Sequence, residues 1–87
     1  MASYLAKVYV SLKPTVNDPQ GLTIADGLRS LGFGEVESVR AGKYLEIRLS
    51  AASASEAGQR VDAMCDKLLA NPIIESYRYD VEELVEA

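Results

Sequence analysis

An α+β sandwich is the fold this sequence predicts, and three observations carry the prediction. Apolar residues alternate with period two in residues 4–13 and again in residues 44–49. Between and after these stretches, apolar residues recur at helical spacing in residues 19–31 and 54–70. Turn and cap residues (Pro14, Asp18-Pro19, Gly32, Gly42, Ser53, Asn71-Pro72) fall between the periodic segments. Period two marks a half-buried strand and period 3.6 an amphipathic helix.

The first strand is "YLAKVYVSLK". Ala6, Val8, Val10 and Leu12 share one face, Leu5, Lys7, Tyr9 and Ser11 the other. Pro14 ends it, because proline cannot donate to a ladder. "NDPQG" then opens a helix over 19–31. Asp18 suits the N-cap, where a carboxylate oxygen accepts free backbone N–H groups. Pro19 suits the first helical position, where a missing N–H costs nothing. Leu22, Ile24, Ala25, Leu28 and Leu31 form the stripe, and Gly32 suits the left-handed residue beyond the end.

"GEVESVRAGKYLEIRLS" reads as a hairpin with its tip at Ala41-Gly42-Lys43. Val36 and Val39 differ in parity, which implies a bulge or a late start. After the tip, Leu45, Ile47 and Leu49 alternate with Tyr44, Glu46 and Arg48. Ser53 and Glu56 have capping-box spacing. Ala57, Val61, Met64, Cys65 and Leu68 make the stripe of a second helix over 54–70, with Asn71 expected in a left-handed cap position. The last strand, 73–81, sets Ile73, Tyr77, Tyr79 and Val81 on its buried side. The tail beyond it is acidic.

The order is therefore βαββαβ. Right-handed crossovers place both helices on one face. The expected architecture is a ferredoxin-like α+β sandwich: a four-stranded antiparallel sheet, order 4-1-3-2, with two helices on one face. The whole chain, 1–87, forms one domain. The other sheet face, with Leu5, Lys7, Tyr9, Tyr44, Glu46 and Arg48, is left bare. A chain of 87 residues buries a thin core, so a homo-oligomer is expected, with Leu5, Tyr9 and Tyr44 as sheet-face contacts.

Composition removes many functions. The chain has no histidine, which removes His-based triads and the commonest transition-metal ligand. Its one cysteine, Cys65, lies on the core stripe and reads as an inert buried thiol. No C-x-x-C occurs, and "DPQG" and "GFGE" are not phosphate-binding fingerprints. Catalytic, cofactor-binding and metal residues are therefore expected to be none. Net charge is −4, which disfavours nucleic acid and anionic membrane. "YLEIRLS" also lacks an RNA-recognition signature. With Lys7 inside the first apolar stretch, no signal peptide is expected, and the chain reads as cytoplasmic.

Several segments taken in order, "VYVSLKPTVNDPQG", "LRSLGF", "VESVRAGKYLEI" and "MCDKLLANPIIESY", resemble the PurS family, the small subunit of phosphoribosylformylglycinamidine synthase. The similarity spans about residues 5–79. It implies a non-catalytic subunit of a glutamine- and ATP-dependent carbon–nitrogen ligase of purine biosynthesis. This subunit would bridge a glutaminase subunit and a large synthetase subunit and support ammonia transfer to formylglycinamide ribonucleotide. The resemblance implies a homodimer or homotetramer. It also implies that the complex uses ATP and Mg while this chain binds no cofactor. Lys13, Arg40, Gly42, Lys43, Asn71 and Glu75 lie in the resembling segments near element ends and are the candidate partner contacts. The alternative is a ligand-sensing ferredoxin-like regulatory module that binds an amino acid at a dimer interface.

Overall fold

The computed structural model describes residues 1–85. Its elements are β1 (Ala2–Leu12), α1 (Pro19–Ser30), β2 (Gly42–Ala51), α2 (Ala54–Met64) continued by a π-helical turn (Cys65–Leu69), and β3 (Glu75–Glu83). The strands form one antiparallel sheet with order β2-β1-β3.

The α+β class stands, but the four-stranded sheet of order 4-1-3-2 does not. The expected second strand, around 36–40, is absent. Its backbone groups bond side chains instead of a neighbouring strand. Arg29 donates from Nε to the Val36 carbonyl at 3.1 Å and from a terminal nitrogen to the Glu37 carbonyl at 2.8 Å. The Ala41 N–H goes to Asp18. Gly42 is accordingly not a hairpin tip but the first residue of β2, paired with Ser11. A Cβ at Gly42 would collide with the Val10 carbonyl, so a glycine lets β2 start this close to β1.

Of the two helices expected on the sheet, only α2 packs there. α2 packs across all three strands, while α1 has only marginal contact with the sheet. Of the α1 residues only Gly21 and Ala25 are buried, and Leu22 and Leu31 of its apolar stripe face solvent. The molecule is consequently flat, 51 × 34 × 14 Å. Its radius of gyration is 16.8 Å, where a compact domain of this length has about 12 Å.

The core lies between α2 and the sheet. Ala6, Val8 and Val10 of β1 meet Val61 and Cys65 of α2, with Leu45, Ile47 and Leu49 from β2 and Tyr77, Tyr79 and Val81 from β3 around them. The registers Val8↔Leu45 and Val8↔Tyr79 put these rows on one face, as the alternation predicts. Ile73 falls before β3 and is exposed. The Tyr77 hydroxyl donates to Asp62 at 2.9 Å and ties β3 to α2. That bond first, then desolvation, pushes the phenol up to about 12.

Caps behave as the sequence implies at three of four ends. Asp18 and Ser53 cap α1 and α2. Gly32 takes a positive φ of 103°, and Gly32 and Phe33 N–H return to the Arg29 and Leu28 carbonyls, closing α1 in a Schellman motif. At the fourth end, Asn71 is not left-handed. Its side chain accepts the Ile73 N–H at 3.0 Å and starts a turn instead.

The π-turn changes which leucine is buried. The Ala70 N–H bonds the Cys65 carbonyl, an i→i+5 link. The widened turn shifts the stripe by one residue, so Leu69 packs on the core while Leu68, expected inside, is 83% exposed. Leu69→Ala should therefore cost about 2 kcal/mol and Leu68→Ala less than about 0.5 kcal/mol. Urea unfolding of the two variants measures the difference; equal costs would mean an α-helical register.

Candidate functional site

The site is the end of the sheet where β1 finishes and β2 and β3 begin. Five of the candidate contacts, Lys13, Arg40, Gly42, Lys43 and Glu75, meet there, and Asn71 joins through Glu75. Ser11 pairs with Gly42 on one side of β1, and Leu12 with Glu75 on the other. The Lys13 N–H bonds the Ile74 carbonyl at 2.8 Å, and the Lys13 carbonyl accepts from Arg40 at 2.9 Å. The Glu75 carboxylate accepts the Asn71 N–H at 2.7 Å, and the Glu75 N–H bonds the Asn71 carbonyl at 2.7 Å.

Asp18 binds this end together. One carboxylate oxygen accepts the Gly21 N–H at 2.9 Å, the cap of α1; the other accepts the Ala41 N–H at 2.6 Å, just before β2. The side chain is buried and fully partnered. These bonds, chiefly those from Gly21 and Ala41 and then the nearby Arg40 charge, outweigh desolvation and hold its acidity below the ordinary 3.8. A Cβ at Gly21 would run into the Val39 carbonyl, so a glycine lets the first turn of α1 approach the 36–41 segment. The reading of "NDPQG" as a helix start holds, and the same carboxylate also anchors a segment 23 residues away.

Beside Asp18 is a shallow recess of about 260 Å³ that Leu12, Gln20, Gly42, Lys43 and Glu75 help to line. Lys43 and Glu75 bring opposite charges to it, which suits a hydrogen-bonding protein segment better than a polyanion. Asp18 has no proton to exchange near neutrality. Among the described residues no group of three or more His, Cys, Asp or Glu side chains is placed to hold a metal. Cys65 is buried, and desolvation raises its thiol above the ordinary value, the opposite of what a nucleophile needs. Among the described residues, neither Asp18 nor Cys65 is set up as an acid, base or nucleophile.

The open sheet face holds the sheet-face candidates. Leu5 and Tyr9 stand in the central row, and Tyr44 pairs with Tyr9 at 5.1 Å between ring centroids. Arg78 lies 3.9 Å over the Tyr9 ring. Lys7 sits between Glu46 and Asp80 in register and bonds Glu82 at 3.6 Å. With Arg48, the face carries Lys7, Arg48 and Arg78 against Glu46, Asp80 and Glu82, so it has no net basic field for RNA.

Comparison with known proteins decides the family. The PurS family model, described as phosphoribosylformylglycinamidine (FGAM) synthase, matches residues 5–83. The chain belongs to the PurS family. It is 50% identical over 82 residues to the PurS subunit of FGAM synthase from Bacillus subtilis, covering 94% of this chain and 96% of that one. The Synechocystis PurS subunit is 45% identical over 82 residues, 94% of this chain and 82% of the relative. A chain of the PurLQS structure from Thermotoga maritima superposes with a TM-score of 0.82 at 32% identity, covering 97% of this chain and 100% of that one. The ligand-sensing alternative is not favoured, since a PurS relative is a synthase subunit.

Sequence reading missed the apolar surface that α1 leaves bare: Leu22, Ile24, Leu31 and Phe33 are 57%, 41%, 76% and 48% exposed. The available signal was the glycines in and after α1, Gly27, Gly32 and Gly34, which bring no side chain to pack.

Because the folded carboxylate is the stronger acid, Asp18 stabilises the fold above its unfolded value. That contribution disappears as pH falls through the folded value. Asp18→Asn keeps an acceptor for one N–H but turns an NH₂ toward the other. The variant should melt at a lower temperature than wild type at pH 7, and the gap should narrow as pH falls below the ordinary carboxylate value of 3.8. Thermal melts across that range check it; a constant gap would assign the loss to something other than this charge.

Proposed function

We propose that this chain is the non-catalytic small subunit of a cytoplasmic FGAM synthase complex. It holds a glutaminase subunit, PurQ, against a large ATP-dependent synthetase subunit, PurL, so that ammonia passes to formylglycinamide ribonucleotide. The observation that carries the reading is the near-complete superposition on a chain of the Thermotoga maritima PurLQS structure. The family membership supports it as well: in this reading the chain acts through where it binds. ATP and Mg belong to the large subunit in this reading, and this chain binds neither.

The shape supports self-association into a homodimer or homotetramer. Both outer strands of the sheet have an unpaired edge, and α1 displays its apolar stripe. Leu5, Tyr9 and Tyr44 on the open face are candidate contacts between copies. Lys13, Arg40, Gly42, Lys43, Asn71 and Glu75 are candidate contacts with the other subunits, and the Lys43–Glu75 recess gives them a focus.

The test is reconstitution from PurL and PurQ of the same organism. Adding this chain should raise glutamine-dependent FGAM formation at least about tenfold, while activity with ammonium salt, which bypasses PurQ, stays unchanged. Lys43→Glu should reduce the glutamine-dependent gain and leave the ammonium rate alone. Equal glutamine-dependent rates with and without the chain would overturn the assignment.

A further inference from the structure

β1 and β2 are neighbours in the sheet, and Ser11 pairs with Gly42 at their shared end. Everything between them, α1 included, is the elaborated tip of one antiparallel pair. That tip is tied to itself and hardly to the rest. Among the described residues, the hydrogen bonds of residues 14–41 all end inside 13–41. Asp18 takes the Gly21 and Ala41 N–H groups, Arg29 donates to the Val36 and Glu37 carbonyls, and Arg40 donates to the Lys13 carbonyl. The link outward lies at the neck, where the Lys13 N–H meets the Ile74 carbonyl.

Packing inside the tip is thin. Gly21 and Ala25 are the buried residues of α1, and a crevice of about 160 Å³ lies between the helix and residues 37–40. α1 makes no more than marginal contact with any strand or with α2. A helix of 12 residues is marginal in water on its own, and few buried apolar contacts put a segment at the low end of local stability. The sheet and α2, by contrast, share the core around Val8, Val61 and Cys65. The two parts stay folded on different grounds: bonds from side chains to backbone in the tip, apolar burial in the rest.

We propose that residues 14–41 form a lobe that opens as one unit while the sheet and α2 stay folded, and that the Asp18 carboxylate is its latch. The carboxylate holds both ends of the lobe at once, the first turn of α1 at Gly21 and the neck at Ala41. Losing it uncaps the helix and frees the neck together. Arg29 is the second fastening, at the far end of α1. Opening also takes apart the recess at the sheet end, because Asp18 and Gln20 come from the lobe while Leu12, Gly42, Lys43 and Glu75 come from the strands. A contact that uses both walls binds only the closed form, so the latch sets the fraction of chain competent to bind there. The latch is a property of this chain alone, whichever surface meets the other subunits.

Native-state amide hydrogen exchange on the full chain, read residue by residue by NMR at two chain concentrations, tests this. In wild type the α1 amides and the Ala41 N–H should share one protection factor, about tenfold or more below that of β1 and α2 amides. Asp18→Asn should lower the lobe's protection by about tenfold again, the loss of charge-assisted bonds. Leu69→Ala, in the core, should lower β1 and α2 protection by about tenfold or more. It should leave the lobe's protection unchanged, since the surroundings of residue 69 are the same with the lobe open or closed. If circular dichroism shows that Asp18→Asn does not fold, Arg29→Gln, which removes exposed bonds only, carries the same test with a loss of about threefold. Equal protection of lobe and sheet, falling together in Leu69→Ala, would make the chain one cooperative unit and overturn the proposal. So would lobe protection that neither lobe variant lowers; if it rises with chain concentration, a second copy holds the lobe instead.

Discussion

A single buried carboxylate joins the two parts of this molecule. Asp18 caps α1 through the Gly21 N–H and holds the segment before β2 through the Ala41 N–H. α1 has little other attachment, since its apolar stripe does not lie on the sheet. Without the clasp, α1 would keep only the Arg29 bonds to the segment before β2. With it, two backbone donors that would otherwise be unsatisfied are paired by an ionised acceptor, the stronger kind of hydrogen bond. Arg40 and Arg29 extend the same logic, giving the 36–41 segment side-chain partners in place of a strand.

That substitution explains the shape. A four-stranded sheet with two helices on one face would bury α1 and leave one bare face. Here the sheet stops at three strands, two edges are open and α1 stands aside. The gap between 16.8 Å and the radius of a compact domain measures how much contact the chain leaves unmade with itself. A monomer of this form exposes apolar helix surface and strand edges that soluble proteins ordinarily cover. The shape is that of a part made to be packed against other parts.

Much of this was legible in the residues. Alternation fixed which side of β1, β2 and β3 faces α2, because a one-residue slip would have turned Val8 and Tyr79 to solvent. Asp18, Pro19, Gly32 and Ser53 marked helix ends through backbone chemistry that is local and therefore visible in sequence. The absent strand was not legible: "VESVR" has strand-like residues, and only the long-range bonds from Arg29 and Asp18 decide its conformation. The displaced Leu68 was hidden for a related reason. Nothing in "CDKLLAN" distinguishes an α-turn from a π-turn, and the choice rests on whether Leu68 or Leu69 fits against the core. The candidate contacts gathered at one sheet end because element ends in an antiparallel sheet share space; their roles do not follow from that gathering.

The chemistry that is missing matters as much as the geometry that is present. Among the described residues, Asp18's charge is spent on backbone donors, Cys65 is buried, and the open face balances its own charges. In the proposed function such a chain contributes no reacting group. It can still raise a rate by holding two active sites together, since a tethered encounter replaces a bimolecular one at an effective concentration on the order of millimolar. The benefit is largest when the shared intermediate is lost in bulk water. Ammonia is such an intermediate: protonated at neutral pH, it ceases to be a nucleophile, so the gain depends on keeping its path short. In the proposed function the charged recess at the end of the sheet is a contact with the other subunits, and what the chain adds to the reaction is position.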